Sequence, residues 1–448
     1  MSQSLPDLTA QLLAAARSAG ADSADALAVR GASVNIDVRA GKLEQAERAE
    51  GIDLGLRVFI GRQQAIVSSS DARPDTLHSM AERAVAMARE APADPHVGLA
   101  DPGDLATATD ASHLDLFDPA DEPDAGVLQD DARRSEAAAR ENPAITQIDS
   151  ASAYYSRRDV HLAASNGFAG GYARTDRGIS CVAISGAGTG MERDYDYDSR
   201  VFQADLRSPE AIGQSAARRA AAMQGARKPA TGTVPVLFDE RVAGSLIGHL
   251  LAAINGAAIA RGSSWLRDAM GTAVLPAGLT ITEDPHRRRI SGSRLFDGEG
   301  LPTARRDIVQ DGVLTTWTLD LATARQLGLA STANASRSAG SAPSPSVSNI
   351  ALTQGTHSHD DLLAQMGRGL LVTSMLGSTI NPNTGDYSRG ASGFWVENGQ
   401  IAWPVNECTI AGNLRDMLLR MIPANDARPH LSRVVPSILI DGMVLAGA

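Results

Sequence analysis

The side chains that could do chemistry in this sequence are few and far apart. His249 stands alone in the apolar run Leu246-Ile-Gly-His-Leu-Leu-Ala-Ala-Ile254. A metal-binding helix would need a second ligand at 245, 246, 252 or 253, and those positions hold Ser, Leu, Ala and Ala. One imidazole does not make a zinc site, so a hydrogen-bonded core histidine is the simpler reading. His357 and His359 stand two apart, followed by Asp360 and Asp361, and on a strand they could grip a cation together. The same residues suit a helix start better, with Thr356 or Ser358 as cap and the aspartates meeting the positive helix end. Arg287-Arg-Arg289 and Arg305-Arg306 could meet phosphate or carboxylate, but the net charge favours solvated strand faces or pairing with the surplus acids.

The richest segment is Gly377 to Pro404. Asp386, Tyr387, Ser388, Arg389 and Gly390 crowd polar groups of every kind into a Gly-rich loop, next to a strand that offers Phe394 and Val396. Loops of this composition hold ligands, and the strand could lend its edge to an extended peptide. The competing reading is a well-hydrogen-bonded hairpin connection. Common catalytic signatures are missing. There is no Walker-type phosphate loop, no Gly-x-Ser-x-Gly elbow and no His-Glu pair for a zincin helix, and Gly186-Ala-Gly-Thr-Gly190 misses the dinucleotide fingerprint because Met191 follows.

Composition narrows the class. The 448 residues suggest two or three domains. With 41 basic and 52 acidic residues the net charge is −11, which argues against a protein that coats nucleic acid or anionic membrane. Aromatic residues are only 4%, so the cores must be built from Ala, Val, Leu and Ile. Two cysteines, Cys181 and Cys408, form neither a disulfide framework nor a CxxC metal pair, which suggests a reducing compartment. No secretory leader is visible and no apolar run is long enough to span a bilayer, so a cytoplasmic location is expected.

The elements that must position these residues follow from periodicity. Leu8, Leu12 and Leu13 predict a helix ended by Gly20. Val34 to Val38 and Ile52 to Ile60 alternate as strands, and a helix runs from Pro74 to about Ala91. Residues 92 to 123 read as a connection that Leu114, Leu116 and Phe117 could pin to a surface. A helix from Ala125 precedes separate strands at 145–155, 160–164, 168–174 and 179–185, and Pro209 starts a helix that ends near Lys228-Pro229. Beyond it, strand 234–238 leads into one apolar helix, Arg241 to about Ile259. A strand–loop–strand covers 294–317, residues 335–348 are a loop, and a helix spans about Asp360 to Met366. The expected class is α+β: a mixed α/β N-terminal half and a mostly antiparallel β C-terminal half with one buried helix. The expected domains are 1–123, 124–229 and 230–448.

Several ordered motifs then carry a resemblance. Gly385-Asp-Tyr-Ser-Arg-Gly-Ala-Ser-Gly-Phe-Trp-Val-Glu-Asn-Gly399, Ile410-Ala-Gly-Asn-Leu-Arg-Asp416, Asp297-Gly-Glu-Gly300, Arg305-Arg-Asp-Ile308 and Ala324-Arg-Gln-Leu-Gly-Leu329 resemble the PmbA/TldE branch of the TldD/PmbA family. The resemblance implies a cytoplasmic metallopeptidase system that processes or degrades small unfolded peptides. Its TldD member holds zinc through a His-Glu-x-x-x-His helix and a cysteine near the C-terminus. In this chain the sister's first His and Glu fall at Gly248 and His249, its second His falls in the Leu and Ala run that follows, and no cysteine lies beyond Cys408. The resemblance therefore implies a subunit without catalytic residues, metal or cofactor of its own, zinc residing in a TldD-like partner. The chain would form a heterodimer with that partner, or a homodimer without it, and Asp386 to Gly390 with Phe394 would face substrate or partner. Two other readings stay open: a regulatory protein of the gyrase-modulator type, or a peptidase that binds metal through His249, His357 or His359.

Overall fold

Ser4 accepts a hydrogen bond from the Asp7 amide and Pro6 occupies the first turn, so the chain enters helix α1 (Leu5–Ala19), which Gly20 ends with φ 96°. The structure, a computed structural model, describes residues 3–447. Strands β1 (Ser23–Arg39), β2 (Lys42–Ile60) and β3 (Gln63–Ser69) follow, then helices α2 (Pro74–Glu90) and α3 (Ala125–Arg140). Strands β4 (Ile145–Ala164), β5 (Ala169–Ser185) and β6 (Glu192–Arg200) and helix α4 (Pro209–Ala222) complete the first half. All six strands form one antiparallel sheet in the order β3-β2-β1-β4-β5-β6, so residues 1–123 and 124–229 share a sheet.

One face of that sheet is covered by α1 to α4. Leu8, Leu12, Leu77 and Met80 pack on Ala26, Leu56 and Val58, while Leu128 and Ile212 pack on Ile36, Ala153 and Ile179. Each buried aliphatic side chain contributes about 1.5–3 kcal/mol, and alanines on the strands let the helices approach closely. β4 and β5 are each continuous where four shorter strands were expected, and β6 was not foreseen. Ser156 to Asp159 and Thr175 to Gly178 interrupt the apolar alternation with polar residues on both faces, yet they pair with the neighbouring strands without a break. The edge strand β6 is blunted: Arg207 donates to the Tyr197 carbonyl and Arg219 and Arg241 to that of Tyr195.

The second half starts with β7 (Gly232–Phe238), α5 (Glu240–Ala253) and α6 (Gly256–Ala260). Helices α5 and α6 replace the single expected helix. The chain turns at Ile254 and Asn255 recaps it, its side chain accepting from the Ala257 amide. Next come β8 (Ile281–Glu283), β9 (Arg306–Gln310), β10 (Val313–Leu314), α7 (Leu321–Leu327), β11 (Ala335–Ser336), β12 (Ser344–Pro345) and β13 (Ile350–Leu352). Residues 294–305 are irregular rather than a strand, and β11 pairs with β12 inside the expected loop. The chain ends with α8 (His359–Met366), β14 (Gly369–Ile380), β15 (Asp386–Glu397), β16 (Gln400–Asn413), α9 (Leu414–Leu419), β17 (Ile422–Pro423), β18 (Arg433–Val434) and β19 (Ile438–Ala446).

The main C-terminal sheet has the order β16-β15-β14-β7-β19-β17 and curls back on itself, because β19 also pairs with β16 through Thr409–Ala446 and Ile410–Leu445. Only β14 and β7 are parallel in it. Its α5 side buries Phe238, Leu246, Leu250, Ile410 and Ile440, and its other side packs Leu237 and Val396 on Leu362 and Met366 of α8. The mixed α/β first half and the β-rich second half agree with the α+β class.

The halves are locked by buried charge. Asp25 on β1 receives Arg57 Nε at 2.8 Å and also Arg337 from the 335–348 segment. Burial pushes the Asp25 carboxyl up, but the two guanidinium groups outweigh it and hold it below its ordinary value. The segment lies so close that a Cβ on Gly55 would stand 2.2 Å from the Ala339 carbonyl oxygen. Arg325 on α7 donates to the carbonyls of His96, Gly98 and Leu99, which ties the 92–123 connection to the second half. Leu114 and Leu116 are buried, as expected of a connection pinned to a surface.

Candidate functional site

Helix α5 and strand β15 bring three of the singled-out residues together. Asp239 caps α5, its side chain accepting from the Arg241 amide, and Ala243, Leu246, Ile247 and Leu250 turn inward. His249 follows the inward face and meets Tyr387 edge-on, ring centroids 5.9 Å apart. Its Nε2 is buried without a hydrogen-bond partner, so it is not the satisfied core histidine expected. Burial, and then the charge of Arg389, hold its imidazole below the usual range and therefore neutral. Tyr387 is 2% exposed, and burial pushes its hydroxyl up to about 12 against the opposing Arg389. Arg389 Nε donates to the Gly377 carbonyl at 2.8 Å across the hairpin.

The other candidates point elsewhere. Asp386 to Gly390 is not a loop: it is the first half of β15, paired with β14 and β16 on either side, and the turn proper is Asn381 to Gly385. Asp386 accepts from Thr384 Oγ1 at 2.6 Å and Asn413 Nδ2 at 3.1 Å, which holds its carboxyl below the ordinary range. Ser388 alternates with Tyr387 and Arg389. Gly390 lies opposite Leu376, where a Cβ would come within 3.2 Å of the Leu376 carbonyl oxygen. Phe394 packs with the α8 layer, on the other side of the sheet from Tyr387.

His357 and His359 flank Ser358, which caps α8 and forms a capping box with Asp361. That is the helix-start arrangement predicted, and Asp361 is held low by the Ser358 amide and hydroxyl. His359 Nδ1 stands 3.5 Å from Asp360. The basic spots are largely spent internally. Arg288 and Arg289 pair with Asp115, Arg289 also with Asp205, and Arg306 with Glu283. Arg287 instead donates to the carbonyls of Pro429 and Leu431. Arg305 is exposed without an acidic partner among the described residues.

A zinc ion needs about three protein donors of negative or neutral character. Around the α5 position only His249 offers one, beside a phenol and a guanidinium whose charge repels a dication. Among the described residues no three His, Cys, Asp or Glu side chains converge to hold a metal. Cys408 is buried on β16, donates to the Ala391 carbonyl at 3.2 Å, and is pushed up to about 11 by burial, so it is a thiol. The donor set at α5 does not fit zinc.

One buried acidic pair was not read from the sequence. Asp297 accepts from the amides of Glu299, Leu301 and Ala335, and Glu299 accepts from the Leu321 amide that opens α7. Burial, then the neighbouring Asp297 charge, push Glu299 up to about 8. The Asp297-Gly-Glu-Gly300 motif was the signal, but two acids in a Gly-rich turn do not announce that both are buried.

Comparison with known proteins matches the chain to the PmbA/TldA metallopeptidase in three consecutive stretches: domain 1 at residues 24–88, the central domain at 118–224 and the C-terminal domain at 231–447. Metalloprotease PmbA of Escherichia coli O157:H7 is 37% identical over 441 residues, covering 98% of this chain and 95% of that protein. The Metalloprotease PmbA homolog of Haemophilus influenzae is 37% identical over 435 residues, 96% and 94% of the two chains. A crystal structure from Bacteroides thetaiotaomicron, of a proposed modulator of a DNA gyrase, superposes with a TM-score of 0.89 at 26% identity over 99% of both chains. The crystal structure of TldE from Thermococcus kodakarensis gives 0.85 at 19% identity over 98% of this chain and 100% of that one, and shares the fold.

Proposed function

Because the chain belongs to the PmbA/TldD metallopeptidase family, we propose that it is the zinc-free subunit of a two-subunit cytoplasmic peptidase. It completes, with a zinc-bearing TldD-like partner, a chamber that processes or degrades small unfolded peptides. The observation that carries this reading is the α5 position itself, where a neutral His249 faces Tyr387 and Arg389 in place of a ligand set. A hydrolytic zinc site needs its ligands and a base to act on the bound water, and α5 supplies neither. Half-buried Arg389 instead offers a fixed positive charge beside His249, suited to a peptide carbonyl or carboxylate or to an acidic residue of the partner.

The test is reconstitution. Purified alone, the chain should leave an unfolded peptide intact, and mixed with a TldD-like partner it should support cleavage that a chelator abolishes. Arg389→Ala in this chain should slow cleavage by the mixture without unfolding either subunit. Cleavage by the partner alone at the same rate would overturn the proposal. No observation favours a gyrase regulator: the −11 charge opposes direct DNA contact, and the name of the Bacteroides relative describes that protein.

A further inference from the structure

The face of the N-terminal sheet turned away from α1 to α4 opens, beside the docked segment 335–340, into a cleft of about 1270 Å³ that the site at α5 does not use. Strand register sets its floor. One row across the sheet reads Gly51, Gly31, Arg158, Arg174, and the next reads Asp53, Val29, Val160, Tyr172. A Cβ on Gly51 would meet nothing within 4 Å, and one on Gly31 only a carbonyl oxygen at 3.9 Å, so the middle of the floor is bare backbone with space above it. Arg158 is exposed and makes no side-chain hydrogen bond or ion pair among the described residues. Arg174 beside it lies over the Tyr172 ring at 4.8 Å and donates only to the carbonyls of Ser291 and Ser293, so no acid neutralises it. The nearby Asp176 is taken up by the hydroxyls of Tyr154 and Ser199. On the opposite flank Asp53 is exposed and equally without a partner among the described residues.

We propose that this cleft binds short peptides with free ends, the α-carboxylate at Arg158 and Arg174 and the α-ammonium at Asp53. The inference rests on the reading that the chain handles peptides, and gives that reading a second site. Asp53 on β2 and Arg158 on β4 are two strand spacings and one row apart, about 12 Å, and Arg174 on β5 is about 16 Å away. An extended peptide advances about 3.3–3.6 Å per residue, so about four residues bridge the two flanks. The cleft exceeds the roughly 300–1,000 Å³ usual for a small-molecule site, which leaves room for varied side chains.

The test is calorimetric titration of the full chain with tetra-alanine and with its N-acetylated and C-amidated forms. The free peptide should bind, and either block should weaken it about fivefold or more. Arg158→Gln should reduce the effect of amidation, with Arg174 still in place, and Asp53→Asn should make acetylation immaterial. Gly51→Trp should fill the floor and abolish binding, with circular dichroism confirming an intact fold. Equal binding of the doubly blocked peptide, or no binding of the free one at millimolar concentration, overturns the proposal. Cleavage by the chain with a TldD-like partner is read separately. Cleavage without tetra-alanine binding sinks the cleft and leaves the two-subunit reading standing, whereas binding without cleavage does the reverse.

Discussion

Tyr387 and Arg389 stand two apart on β15, so they face the same way, and α5 places His249 against them. The two aromatic partners and the cation have separable roles. Tyr387 fills core, and Tyr387→Ala should cost about 3–5 kcal/mol in denaturant unfolding. Arg389 is half-buried and spends one donor on a carbonyl, so Arg389→Ala should move stability far less than it moves cleavage by the reconstituted pair. Glu299 gives a pH signature of opposite sign to ordinary acid denaturation. Its folded value of about 8 exceeds the ordinary 4.5, so the folded state keeps a proton that the unfolded state has lost. Stability therefore falls as pH rises from about 4.5 and levels off above about 8. Glu299→Gln should flatten that slope in unfolding curves taken across the window, and an unchanged slope would place the titration elsewhere. The isolation of His249 was legible in the sequence, because the missing ligand positions could be checked one by one. Its pairing with Tyr387 was not, since nothing in either segment specifies that the two meet.

At the scale of elements, caps and periods served well where one face was helix-covered. α1, α2 and α8 lie within a residue or a few of their expected bounds because Pro, Ser or Gly marks an end of each, and α3 does so on its helical period alone. β4 and β5 were cut in two because Ser156 to Asp159 and Thr175 to Gly178 put polar residues on both faces where alternation would demand aliphatic ones. Arg177, for one, is buried in an ion pair with Asp131 of α3, so a polar interruption there marks a paired charge and not a turn. The break between α5 and α6 was missed although Asn255-Gly256 marks it, because the apolar run continues on both sides of that pair. Asp239 holds α5 in place through its cap, and Asp239→Ala should lower stability by about 1 kcal/mol. Removing residues 386–390 would delete a central strand, so point substitutions are the proper probes of this region.

At the scale of the molecule, two of the family motifs outside β15 reach the joint between halves. Gly300 accepts from the Ala106 amide, Arg325 of α7 donates to the Leu99 carbonyl, and Arg337 crosses the joint to Asp25. The Arg337 side chain is 2% exposed, so Arg337→Ala leaves the buried Asp25 with Arg57 alone and should cost about 3–5 kcal/mol, read as faster amide exchange across β1 and β2. The sequence showed these motifs as a resemblance and not as a joint, because burial of charge depends on two segments some three hundred residues apart meeting. On the proposed function this chain brings no metal centre to the pair. The zinc-to-protein ratio of the purified chain, prepared without chelator, tests that. A ratio near zero is predicted; a ratio near one that falls when His249 is replaced by Ala would contradict it.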